Sequence, residues 1–198
     1  MNKRWFASTL VILLFSCASK KEAEPAPSPV PTSNLPDSFF PVTSYIKGQI
    51  HVLDSLPITP LEITVVKGRT DSAWLTKEKL KPLLQPFLYP IIDETNLLPY
   101  FTETRFNDQT INAITFTYEP SKKLPDSISL RRWDVYIDPE KGMVTKIYLV
   151  KQLKENGQNI TQQLTWQTDR SAKISTILNK TDGSLELLKE DQFIWNFQ

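Results

Sequence analysis

From Tyr100 onward the side chains change polarity at almost every second residue, and no other feature restricts the fold as strongly. Ile114, Phe116 and Tyr118 alternate with Thr115, Thr117 and Glu119, and Trp133, Val135 and Ile137 alternate with Arg132, Asp134 and Tyr136. Ile147 and Leu149 alternate with Lys146, Tyr148 and Val150; then come Leu164 with Trp166, Ile174 with Thr176 and Leu178, and Phe193 with Trp195. A side-chain period of two belongs to a strand that buries one face. Turn residues separate the runs: Asp138-Pro139-Glu140-Lys141-Gly142, Asn156-Gly157, Asp169-Arg170 and Asp182-Gly183. Asn-Gly and Asp-Gly accept the positive φ that tight hairpins need. The pattern predicts an antiparallel meander of six or more strands.

The segment before the meander has a different period. Phe39, Val42, Ile46, Ile50 and Leu53 recur at spacings of three or four, one face of a helix, with Pro41 in its first turn. Pro57 and Pro60 end it, and Ile63–Val65 and Ser72–Leu75 read as short strands around Lys67-Gly68-Arg69. A second helix is predicted from Thr76, an N-cap residue, through Leu80, Leu83, Leu84 and Phe87. Pro82, Pro86 and Pro90 recur every four residues and should kink or break it. Two helices preceding a sheet and covering one face make an α+β fold.

Ahead of residue 39 the composition shifts. Residues 18–38 hold Pro25, Pro27, Pro29, Pro31 and Pro36, a spacing that forbids helix and favours an extended tether. Before that, Lys3 and Arg4 precede an apolar run from Trp5 to Phe15. That run is too short to span a membrane, which takes about 20 residues, and suits the apolar core of a signal peptide. The chain therefore divides into a signal peptide (1–16), a tether beginning at Cys17 (17–38) and one globular domain (39–198).

Leu14-Phe15-Ser16-Cys17 resembles the lipobox of bacterial lipoproteins, and Cys17 is the only cysteine of the 198 residues. With the proline tether, the Phe39-Phe40 helix start and the Tyr136-Ile137-Asp138-Pro139 hairpin, the chain resembles the uncharacterised envelope lipoproteins of Gram-negative bacteria. The resemblance implies cleavage before Cys17, acylation of its thiol and new amino group, and, with Ala18 rather than Asp next to it, an outer-membrane location. More than one acyl chain gives a stable anchor. Asp54-Ser55-Leu56, Asp71-Ser72-Ala73 and Asp126-Ser127-Ile128 resemble the Asp-Ser/Thr-apolar signal for O-glycosylation of exported proteins in one phylum of such bacteria, which makes Ser55, Ser72 and Ser127 candidate glycosylation sites.

Little in the chain suggests catalysis. A lone His51 on the first helix, with no G-x-S-x-G elbow, does not make a serine triad. Asp138 and Glu140 sit in a hairpin turn, where acids normally serve the turn. One Cys and one His leave no multi-Cys or multi-His metal site, and neither a metal nor a cofactor is expected. Lys and Arg number 23 against 22 Asp and Glu, without the basic excess of a nucleic-acid binder. Arg131-Arg132 with Lys122-Lys123 reads as a solvated sheet edge. Trp74, Trp133, Trp166 and Trp195 could stack on a ligand, but aromatics in alternating strands more often face the core. The expectation is an anchored module without enzymatic activity. It would bind or scaffold an envelope protein and have the membrane as a second partner through its lipid. The alternative is a carrier that holds an apolar ligand between helices and a curved sheet.

Overall fold

The computed structural model describes residues 38–196. The tether and signal-peptide assignments, Cys17 included, lie outside the described residues. Element order is α1 (Val42–Ser55), β1 (Leu61–Val66), β2 (Arg69–Trp74), α2 (Lys77–Leu83), a 3-10 helix (Gln85–Leu88), β3 (Phe101–Asp108), β4 (Ala113–Pro120), β5 (Leu130–Ile137), β6 (Val144–Glu155), β7 (Gln158–Gln167), β8 (Ser171–Asn179) and β9 (Leu185–Ile194). The strands form one open nine-stranded sheet in the order β2-β1-β9-β8-β7-β6-β5-β4-β3, with every neighbouring pair antiparallel.

The meander from β3 to β9 follows from its turns. Asn156 and Gly157 have φ of 49° and 78°, the left-handed pair that lets β6 and β7 turn back in two residues. The β1–β2 hairpin uses Lys67 and Gly68 in the same way, at 48° and 76°. In the β5–β6 turn, Asp138 accepts backbone N–H groups from Glu140 and Lys141 at 2.9 and 3.0 Å. The β1–β2 hairpin does not precede the meander in space. It joins the far edge, Leu61 pairing with Ile194 and Val66 with Lys189.

The helices differ from the expected ones at their ends. α1 begins at Val42 rather than at Phe39. Phe39 donates its backbone N–H to the carbonyl of Glu94 at 2.8 Å, so the chain there is tied to a loop and not to a helix. Thr76 caps α2, its side chain accepting from the Lys79 N–H at 3.4 Å. Pro82 cannot donate to the preceding turn; α2 stops at Leu83 and the chain continues as the 3-10 helix.

One face of the sheet meets the helices. Val42, Ile46 and Leu53 of α1, Leu80 of α2 and Phe87 of the 3-10 helix pack on Trp133, Val135, Ile147, Leu149, Leu164, Trp166 and Phe193. Trp133 is 0% exposed and stacks on Tyr118, ring centroids 4.5 Å apart, with Phe39 and Phe101 packed beside it. Trp166 is equally buried, against Phe87 and Trp195. Trp74 is the exception among the four, 64% exposed at the end of β2.

Candidate functional site

Hydrophobic phase places Lys151 where a core residue should be. Ile147, Leu149 and Lys151 share the helix-facing side of β6, because they are two residues apart. Lys151 is 4% exposed, and its ammonium donates to the backbone carbonyls of Pro86 and Tyr89. Pro86 lies within the 3-10 helix and Tyr89 directly follows its last residue, so the ammonium ties the C-terminal turn of that helix to β6. Among the described residues no carboxylate lies within ion-pairing distance of it. Burial alone lowers its pKa from the ordinary lysine range to about 8.

Lys151 lines an open depression of about 580 Å³. Pro82, Pro86 and Pro90 line it too, so the four-residue proline spacing puts three rings around one hollow. The spacing that breaks α2 also shapes the wall. Tyr89 stands at the rim with 61% of its surface exposed. Ser129 and Gln162 bring a hydroxyl and an amide, and Gln162 is paired in register with Lys151. Gln85 adds a second amide, so the arrangement offers one cation, apolar walls and several neutral hydrogen-bonding groups.

A second buried charge lies on the opposite face of the sheet. Asp134 is 1% exposed and, two residues along β5, Arg132 donates Nε to both of its oxygens at 3.1 Å. Arg132 also reaches Glu119 at 3.2 Å. Tyr136 and Tyr148 flank this pair, and burial followed by the Asp134 charge pushes both phenols up. Arg132 is thus committed to carboxylates within an inner strand, not to a sheet edge, and Arg131 bonds Gln152 and the Ile128 carbonyl beside a bulge. The basic patch read from the sequence is two separate structural contacts.

Ser55, Ser72 and Ser127 are all exposed, at the end of α1, in edge strand β2 and in the loop before β5. The fold does not gather them into one place. His51 is exposed on α1. Asp138 and Glu140 serve the β5–β6 turn. Glu190 bonds Ser175 at 2.8 Å and Lys173 at 3.4 Å. Among the described residues no three His, Cys, Asp or Glu side chains gather where they could hold a metal, and no helix is long and apolar enough to cross a membrane.

Sequence reasoning missed both Lys151 and Asp134. The signal for Lys151 was present: a lysine in phase with Ile147 and Leu149 is a polar residue at a core position. Asp134 carried only a weak one, an acid two residues from an arginine on one strand face. Comparison with protein-family models, with curated proteins and with solved structures finds no match for this chain.

Proposed function

We propose that this chain is a lipoprotein of the outer membrane, anchored through Cys17, whose domain is a non-catalytic binding or scaffolding module of the cell envelope. The observation that carries the choice against an apolar-ligand carrier is that, among the described residues, no enclosed hollow lies where the helices pack on the sheet; the depression beside Lys151 is open to solvent and would not shield an acyl chain. Between α1 and α2, where Leu53, Leu80 and Leu84 meet, only about 10 Å³ is open. A carrier needs a hollow of roughly 300 Å³ or more for its cargo. Trp133 and Trp166 occupy the space that an acyl chain would take. The exposed Ser55, Ser72 and Ser127 suit attachment of sugars on an exported protein, which is part of the same proposal.

Two measurements test it. Cells labelled with an alkyne palmitate should yield a labelled protein, and Cys17→Ala should abolish the label; equal labelling of both rejects the anchor. Organic extracts of the natively purified protein should contain no lipid in stoichiometric amount beyond that on Cys17. A bound fatty acid or phospholipid at one per chain would restore the carrier reading.

A further inference from the structure

A buried ammonium with no counter-charge is an unusual thing for a small domain to keep. Taking a charge out of water costs several kcal/mol unless it is paired. The carbonyls of Pro86 and Tyr89 supply dipoles but no negative charge. An ammonium has three N–H donors, and these two acceptors leave one over. Gln162, the cross-strand neighbour, and Ser129 are neutral. Lys151 keeps 4% of its surface exposed and lines the depression, so an anion seated there would lie beside it.

The walls restrict what the rest of the anion can be. Pro82, Pro86 and Pro90 present saturated rings, and Tyr89 presents an exposed aromatic face at the rim. Flat surfaces of this kind pack on a ring better than on a flexible chain, since a ring loses little freedom on binding. The depression is open to solvent, and at about 580 Å³ it is wide enough for a small ring to lie against its wall.

We propose that the Lys151 depression is a binding site for small cyclic or aromatic carboxylates, with the carboxylate on the Lys151 ammonium and the ring between Tyr89 and the proline wall. This gives a ligand to the binding module proposed above and rests on that reading. The competing role for Lys151 is purely structural, closing the end of the 3-10 helix.

The experiment is a calorimetric titration of the full-length protein in detergent with sodium benzoate, benzamide and inorganic phosphate. Benzoate should bind, and benzamide, of the same shape without the charge, should bind at least tenfold more weakly. Lys151→Met should weaken benzoate at least tenfold, and Tyr89→Ala several-fold. Equal binding of benzoate and benzamide, or no binding of benzoate, overturns the proposal. Phosphate binding as tight as benzoate overturns the assignment to a ring-bearing carboxylate. A second measurement uses the unaltered protein and does not depend on the variant folding. Acetylation of Lys151 by acetic anhydride, followed by peptide mass spectrometry, should slow at least fivefold with saturating benzoate and remain unchanged with benzamide. Unchanged labelling under both is the result of a merely structural lysine. Loss of palmitate labelling at Cys17 would sink the anchor while leaving these titrations as they are, so the two failures can be told apart.

Discussion

Replacing Lys151 by methionine should change not only stability but the way stability depends on pH. In the folded chain the Lys151 ammonium titrates near 8, because burial disfavours its charged form, against an ordinary value of 10.5. A folded pKa below the unfolded one means that the unfolded chain binds more protons between those two values. Stability then rises with pH across that window. At pH 7 the group is charged in both states and the folded protein carries the whole burden, roughly 3 kcal/mol at 1.36 kcal/mol per pKa unit. At pH 10 the folded lysine is almost entirely neutral while the unfolded one is still mostly charged. Integrated from pH 7 to pH 10, the relief is about 2.5 kcal/mol. Methionine has nothing to titrate, so the parent should gain about 2.5 kcal/mol relative to Lys151→Met over that interval. The variant also leaves the Pro86 and Tyr89 carbonyls without their donor, which offsets part of its advantage at pH 7. The difference between the two proteins removes the tyrosines, whose raised pKa values affect both alike. Urea unfolding at pH 7, 8.5 and 10, followed by tryptophan fluorescence, measures it. A parent-minus-variant difference that stays flat or falls with rising pH would refute the claim that this lysine is charged, buried and unpaired.

Trp133→Ala and Trp166→Ala should each cost about 3–5 kcal/mol in urea unfolding, because both rings are fully buried and the hole cannot collapse; an unshifted midpoint for either would place that ring at the surface. Arg132→Met should destabilise more than Asp134→Asn, by roughly 3 kcal/mol against less, since the first strands a buried carboxylate and the second leaves a guanidinium that is 41% exposed and can turn to water. The reverse order in thermal melts would show that Asp134 is hydrated. A chain beginning at Ser38 should melt within a few degrees of one beginning at Ala18, because Val30 and Leu35 are the largest apolar side chains that the tether could bury; a drop of ten degrees or more would mean that the tether packs on the domain.

Much of the meander was legible because two local signals agreed. Period-two alternation fixed which side chains of β4, β5 and β6 face the helices, and Asn156-Gly157 fixed where the chain turns. β3 gave no such signal. Its helix-facing positions include Glu103 and Arg105, which break the alternation; they are tolerated because the two pair with each other and Glu103 lies in register beside Tyr118. The β1–β2 hairpin was readable as a hairpin, but pairing with β9 is a contact between distant parts of the chain, and nothing local encodes it. Lys151 escaped for a related reason. Its phase marked it as misplaced, whereas its partners are backbone carbonyls, which any sequence carries. The three prolines were visible as helix breakers; that they wall one hollow depends on where the 3-10 helix lies against β6.

The pairing of β1 with β9 also sets an order in time. A chain that emerges from its N-terminus makes α1 and the β1–β2 hairpin first, yet the strand against which β1 must lie is the last to appear. The hairpins between β3 and β9 can zip up one after another, each needing only the strand before it. The first hairpin has to wait, and closing so long a loop is slow. Until β9 arrives, β1 offers an unpaired edge to any extended segment nearby, its own copies in neighbouring chains included. Completion of this sheet therefore depends on its final strand, and a chain halted just short of β9 would be left with a finished hairpin that has nowhere to dock.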